Sequence, residues 1–118
     1  EHLTPILIGN HAEQGDQLAI NLIMETADWL AIGIVTLMHT IDPSAIILGG
    51  AMTFGRDENP IGRAFLDRIN TSVRRHTFPT LAKKTALRFA SLGGNAGSIG
   101  AAGLGRLTWK QHNSQTHV

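Results

Sequence analysis

Two glycine-rich segments, each following an apolar run, constrain the fold of this chain most. They read Ile-Ile-Leu-Gly-Gly-Ala at residues 46–51 and Leu-Gly-Gly-Asn-Ala-Gly-Ser-Ile-Gly-Ala-Ala at residues 92–102. Each is typical of a strand that ends at glycines before a helix, because glycine adopts positive φ and lets other groups approach the backbone. In open α/β sheets, ligands bind beyond the carboxyl ends of the strands. The sequence therefore predicts an α/β fold with two glycine clusters on its ligand-binding side.

Capping signals and helical periodicity predict two helices before the first strand. Thr4 and Pro5 favour a short helix over residues 5–14, although residues 6–8 also fit a strand. Asp16 is placed to cap a long helix over residues 17–40. Its apolar residues cover most of the circumference, which predicts burial on more than one side. Gly33 lies inside this helix, and we interpret it as a site of close helix packing rather than as room for a ligand ring.

The rest of the chain predicts two strands and two more helices. Residues 45–48 are predicted to form a short, buried parallel strand, and residues 85–91 a second strand. Between them, a helix from Asn59–Pro60 to His76 carries an apolar stripe, and Lys83–Lys84 is predicted to lie in a solvated loop. A final helix over residues 97–110 has three glycines on a face predicted to pack against the sheet (Gly97, Gly100 and Gly103).

Composition excludes several classes of protein. A chain of 118 residues fits one domain. Its net charge of +1 does not indicate a nucleic-acid-binding protein, which would carry a basic surface. The absence of cysteine excludes disulfides and cysteine-based zinc sites, and the six histidines lack metal-ligand spacing. The apolar region over residues 18–38 is interrupted by polar residues, which predicts a core helix rather than a membrane span. Glu1 in first place suggests a fragment, and no signal peptide is visible.

The residues also give no convincing catalytic constellation. The second glycine segment lacks the Gly-Lys-Ser/Thr of a phosphate loop, and its glycines do not follow the dinucleotide-binding pattern. The carboxylates Asp16, Asp42, Asp57 and Glu58 are explained as caps or turn residues. We therefore predict no catalytic residue and no metal ligand within this chain.

Taken together, three segments resemble the ROK family (repressors, open reading frames and sugar kinases). They are Gly-Asp-Gln-Leu-Ala at residues 15–19, Ile-Asp-Pro-Ser-Ala-Ile-Ile-Leu-Gly-Gly-Ala at residues 41–51, and the second glycine segment. The resemblance runs from about Gly15 to Leu107. It implies the carboxyl-terminal lobe of an actin-like, ribonuclease-H-like ATPase fold over residues 1–110, cut from a larger chain, with a polar tail over residues 111–118.

The resemblance also implies which residues face a nucleotide. The segment ending at residue 51 is similar to the adenosine motif of the hexokinase–actin superfamily. Gly49, Gly50 and Ala51 are then nucleotide-binding candidates, with Met52 as an apolar neighbour. The alternative for Gly49 and Gly50 is a tight turn from strand to loop, and the residues alone leave both interpretations open.

The resemblance implies that the parent protein is an ATP-dependent hexose kinase of glucokinase type, using ATP and Mg²⁺. The family's phosphate-binding motif, general base, sugar motif and zinc motif are absent here, so the isolated chain is predicted to be inactive. Two alternatives remain: the sugar-sensing domain of a ROK repressor, which alone would involve nucleic acid, and a binding or oligomerisation module without nucleotide. A cytoplasmic location, no membrane contact and a homo-oligomer are expected, with Trp29 and the long helix at the interface.

Overall fold

The structure, a computed structural model, describes residues 2–115. Within that range it contains five α-helices and two strands. In chain order these are α1 (Pro5–Glu13), α2 (Gln17–Ile41), β1 (Ala45–Leu48), α3 (Pro60–His76), α4 (Pro79–Lys84), β2 (Ala86–Phe89) and α5 (Ala96–Gln115). Single 3-10 turns lie at Ala51–Thr53, Arg56–Glu58 and Gly93–Asn95. The predicted α/β architecture is confirmed.

The first three helices begin at the predicted capping residues. The Thr4 hydroxyl accepts a hydrogen bond from the Leu7 N–H at 3.2 Å, and Pro5 occupies the first turn of α1. The Asp16 carboxylate accepts from the first-turn N–H groups of α2, and the Asn59 side chain does the same for α3. Because these donors have no partner within their own helix, each cap fixes where its helix starts.

The sheet consists of β1 and β2, paired in parallel. Ala45 lies opposite Ala86, and Leu48 lies opposite Phe89, so the two carboxyl ends are side by side. The Ala90 N–H donates to the Leu48 carbonyl at 2.7 Å and closes this end of the ladder. The prediction that β1 is buried is wrong for this chain, because helices cover one face only and Ile47 on the other is 59% exposed.

The core lies between α2 and α3. The predicted stripe on α3 is confirmed, because Phe65, Ile69 and Val73 are buried and Ile61 is half-buried. They pack against one face of α2, where small alanines alternate with larger apolar side chains and let the helices approach closely. That face consists of Ala19, Ile23, Ala27, Ala31, Ile34 and Met38. Burying each large side chain contributes about 1.5–3 kcal/mol, which makes this helix pair the main source of stability.

The prediction that α2 is buried on more than one side is wrong within this chain. Leu18, Trp29 and Ile41 are 66–78% exposed on its other faces. A Cβ placed on Gly33 meets no heavy atom within 4 Å, so the interpretation of close packing there is also wrong within this chain. Among the described residues, α2 is the one helix long and apolar enough to span a membrane, a property that the core helix of a soluble protein shares.

The chain after α3 differs from the prediction in two places. Lys83 and Lys84 lie in the last turn of α4 rather than in a loop, and Lys84 Nζ is 2.5 Å from Asp42 Oδ2. Helix α5 continues to Gln115, five residues past the predicted end, while residues 116–118 lie outside the described range. Residues 96–113 are all exposed, and a Cβ on Gly97, Gly100 or Gly103 meets nothing within 4 Å. The predicted packing of this glycine face against the sheet is therefore wrong.

Candidate functional site

A cleft of about 490 Å³ opens where β1 and β2 end. It brings together the two glycine-rich segments, although more than forty positions separate them in the sequence. The sequence-based expectation that both clusters meet at the carboxyl ends of the strands is confirmed. Most of its lining is small side chains or bare backbone, contributed by Gly49, Gly50, Ala90, Gly93, Gly94 and Ala96, and the rest comes from Thr53 and Arg56.

The first wall of the cleft is the turn after β1. Gly50 has φ 87° and ψ −165°, a conformation that residues with a Cβ rarely adopt. The Thr53 hydroxyl donates to the Gly50 carbonyl at 3.3 Å and holds the turn closed. The turn from strand to loop is therefore tight, and the same turn exposes its backbone to the cleft. Gly49 and Gly50 can thus form a tight turn and still face a ligand, so the two interpretations do not exclude each other.

The second wall is the passage from β2 into α5. Gly93 has φ 53°, and a Cβ on Gly94 would meet no heavy atom within 4 Å. The cleft reaches Ala96, the first residue of a helix twenty residues long. The Ala96 N–H donates to the Gly93 carbonyl in the preceding 3-10 turn. What this end of the helix offers an anion is therefore the positive end of its dipole. This wall therefore combines open space with a backbone that favours an anion.

Arg56 supplies the side-chain charge of the cleft. Its Nη1 donates to the Ala90 carbonyl at 3.3 Å, and its Nε lies 3.9 Å from Glu58 Oε2. The sequence analysis assigned no role to Arg56. No motif or spacing in the sequence distinguishes it from the exposed arginines, because its position depends on how residues 54–58 fold back over the end of β2.

Two of the four predicted nucleotide-binding residues lie in the cleft, and two lie outside it. Gly49 and Gly50 line it. Ala51 instead lines a small depression of about 130 Å³ beside α1. Met52 is 44% exposed and borders an apolar groove with Trp29. The nucleotide-binding role of all four residues stays a prediction.

A separate polar cluster joins α2 to α3 away from the cleft. Asp28 accepts hydrogen bonds from Arg68 and from the Ser72 hydroxyl, and these bonds hold the pKa of the Asp28 carboxyl below its usual value. The Asp28 carboxylate in turn raises the pKa of Arg68. His76 Nδ1 lies 2.7 Å from the backbone carbonyl of Ser72, not from its hydroxyl. Because the serine hydroxyl faces the carboxylate, this is a structural contact rather than an activated nucleophile.

The next feature is the distribution of side chains that could bind a metal ion. Over residues 2–115, no group of three or more histidine, aspartate or glutamate side chains could hold a metal ion. Mg²⁺ in a nucleotide site is usually held by one or two carboxylates together with phosphate oxygens and water. No carboxylate lines the cleft in the part of the chain that the structure describes, so we assign no metal ligand there.

Comparison with known proteins shows what the chain is similar to. A glucokinase of Streptomyces coelicolor is 36% identical over 96 residues, which is 80% of this chain and 28% of that protein. An uncharacterized protein of Clostridium perfringens is 32% identical over 89 residues, which is 75% of this chain and 28% of that protein. The chain thus spans less than a third of the length of these relatives.

A solved structure supports the same relationship. The crystal structure of a Cytophaga hutchinsonii protein assigned as a sugar kinase superposes with a TM-score of 0.72 at 26% identity. The match covers 87% of this chain and 32% of that one. The sequence profile of the ROK family matches residues 1–107. On this evidence, the chain belongs to the ROK family.

Proposed function

We propose that this chain is the carboxyl-terminal, adenosine-side lobe of an ATP-dependent hexose kinase of glucokinase type, built on the actin-like ATPase fold. The observation that carries the proposal is the cleft at the carboxyl ends of β1 and β2, where the two glycine segments meet. Glucokinases among its relatives support the choice of a sugar kinase. The parent protein would transfer the γ-phosphoryl of ATP, with Mg²⁺, to a sugar hydroxyl.

The residues of this chain would bind and orient the nucleotide rather than react with it. Gly49 and Gly50 present backbone without side chains, which lets the adenine and ribose approach closely. The passage from β2 into α5 forms the opposite wall and leaves open space beside Gly94 for the phosphates. Phosphoryl transfer depends mainly on positioning and electrostatic stabilisation, so such contacts raise the rate only when the other parts of the site are present.

The exposed apolar face of α2 supports a homo-oligomer as part of the proposal. Trp29 is 68% exposed and Ile32 51% exposed, and both stand beside the buried face that packs on α3. Exposed apolar patches of this kind mark interaction surfaces. A second copy of the protein is the occupant we propose, in a cytoplasmic enzyme.

The decisive experiment is a coupled phosphorylation assay on the intact protein with MgATP and a panel of hexoses including glucose. Turnover on one hexose is the expected result and identifies the substrate. Absence of turnover, with sugar binding intact, would contradict the kinase and point to a sugar-sensing ROK repressor, for which DNA binding is the next measurement. Residues 1–118 alone are expected to show no turnover, and the lack of a carboxylate among the described residues that line the cleft supports this expectation.

A further inference from the structure

We propose that Arg56 binds a phosphate group of the nucleotide and so makes the cleft prefer phosphorylated adenosine to adenosine itself. The inference rests on the proposed nucleotide-binding function and extends it to a residue that the glycine motifs do not contain. Arg56 would contact the phosphate oxygens directly through its guanidinium group. Three observations support this: the charge of the cleft, the hydrogen bond that holds the guanidinium, and the backbone conformation of residues 54–56.

The charge of the cleft favours an anion. Among the described residues that line it, Arg56 is the one ionisable side chain, and no carboxylate lines the cleft with it. A guanidinium remains protonated throughout the physiological pH range. The other lining residues are glycines, alanines and Thr53, and the dipole of α5 adds positive potential at the end of the helix that reaches the cleft. A neutral nucleoside would be attracted only weakly by this positive potential, whereas a negatively charged phosphate would be attracted strongly.

The guanidinium is held in place with donors left for a ligand. It carries five N–H donors in a planar fork, and the bond from Nη1 to the Ala90 carbonyl uses one of them. The distance from Nε to Glu58 Oε2 is 3.9 Å, which is too long for a hydrogen bond. The side chain is only 36% exposed, so it lies along the end of β2 instead of extending into solvent. A fork fixed in this way suits bidentate contact with phosphate oxygens.

The backbone places Arg56 at this position at a conformational cost. Phe54, Gly55 and Arg56 have successive φ angles of 46°, 79° and 56°, the left-handed region that residues other than glycine disfavour. Gly62, in the first turns of α3, allows the loop to rest directly on the helix. A Cβ on Gly62 would overlap the Arg56 carbonyl oxygen and lie 2.7 Å from its backbone nitrogen. Strained backbone of this kind is found at ligand-binding positions.

The test measures binding of adenosine, AMP and ADP to the intact protein by isothermal titration calorimetry. Arg56→Gly removes the guanidinium, and glycine suits a φ of 56°, so the variant is expected to fold. We expect the variant to bind ADP at least about tenfold more weakly than the wild type does, because it loses a charge-assisted hydrogen bond to the phosphate. Its affinity for adenosine should stay within about twofold of the wild-type value. Arg56→Lys should be intermediate for ADP, because lysine keeps the charge without the fork.

Arg63→Gln is the matched control. Arg63 donates to the Asp57 carbonyl in the same loop at 2.8 Å but does not line the cleft, so its loss removes an equal charge nearby. ADP affinity should stay within about twofold of the wild type. If Arg56→Gly weakens the binding of adenosine and ADP equally, or weakens neither, the inference is overturned. Arg56 would then have only a structural role, through its hydrogen bond to the Ala90 carbonyl. Failure of the wild type to bind any of the three ligands would instead refute the proposed function, and the inference with it.

Discussion

Arg68 on α3 binds the carboxylate of Asp28 on α2 in a bidentate pair, with Nε 2.9 Å from Oδ1 and Nη2 2.7 Å from Oδ2. The Ser72 hydroxyl, one turn further along α3, donates to the same carboxylate. The three side chains join the two helices of the core at its solvent-facing edge. The pair is partly exposed, so its contribution is that of a well-oriented surface ion pair rather than of a buried one.

The Asp28 contacts predict a pH dependence of stability. The Arg68 and Ser72 hydrogen bonds lower the folded-state pKa of Asp28 below its ordinary value of 3.8. Their stabilisation is therefore fully present above pH 3.8 and is lost as the pH falls through the lower folded-state pKa. Thermal unfolding from pH 7 to pH 2 should show the largest Tm difference between wild type and Asp28→Asn near neutrality, and a smaller difference in acid. A difference that is constant with pH would contradict this account. Asp67→Asn, an exposed change on α3, is the control and should alter Tm little.

Gly62 is predicted to tolerate no side chain. In Gly62→Ala the new Cβ would lie 2.7 Å from the Arg56 nitrogen and 2.8 Å from the Phe54 carbonyl oxygen, and backbone atoms cannot rotate away. We expect a loss of about 1–3 kcal/mol in the free energy of unfolding, measured by urea denaturation. Gly103→Ala, where nothing lies within 4 Å, is the matched control and should not destabilise the chain. Equal effects of the two changes would disprove the close approach of the loop to α3.

Gly33→Ala tests what covers α2. Within this chain the new methyl group meets nothing, and alanine favours the helix by up to about 1 kcal/mol, so the free energy of unfolding should rise. The measurement is chemical denaturation at low and at high protein concentration. Destabilisation that appears only at high concentration would show that another subunit packs closely on Gly33. Destabilisation at both concentrations would contradict the open surface seen here.

Trp29→Glu is predicted to dissociate the proposed homo-oligomer. Trp29 is 68% exposed on α2 and borders an apolar groove of about 510 Å³. Burying a carboxylate in an apolar interface is strongly unfavourable, so sedimentation velocity should show the smaller species. Trp109→Glu alters a similarly exposed tryptophan, at 65%, on α5 and should leave the assembly intact. If Trp29→Glu leaves the sedimentation coefficient unchanged, α2 is not the subunit interface.

Gly94→Val is predicted to weaken ATP use by filling the cleft. The position lines the cleft and has open space around it, so the side chain enters without disturbing the fold. In the coupled assay, KM for ATP should rise at least about tenfold while KM for the hexose stays close to the wild-type value. Gly105→Val on α5, outside the cleft, is the control. Parallel rises in both KM values would indicate a general structural defect instead.

Local signals were sufficient for much of the fold. Asp16 and Asn59 predicted where α2 and α3 begin, because an N-cap acts on N–H groups two or three residues away in the sequence. The strand at residues 45–48 was predicted from a short apolar run between a proline and two glycines, and it has these bounds. The meeting of the glycine segments followed from a general property of parallel sheets.

Contacts between distant residues were not predictable in the same way. Arg56 reaches the cleft because Gly62 lets its loop rest on α3 and because Ala90 accepts its hydrogen bond, and no local pattern encodes either contact. Ala51 and Met52 follow the glycines directly but turn to other surfaces, since the 3-10 turn at Ala51–Thr53 rotates them away from the cleft.

The sequence by itself determined the helix caps, the two strands and the family, because these depend on residue types at short spacings. Only the tertiary structure decided which faces of α2 and α5 are covered and which charge reaches the cleft. Hydrophobicity shows that Trp29 or Leu104 would gain from burial, but not whether a partner surface lies within reach. Whether such a surface lies within reach depends on how α2, α3 and the sheet pack together. This packing is determined by contacts between residues far apart in the chain.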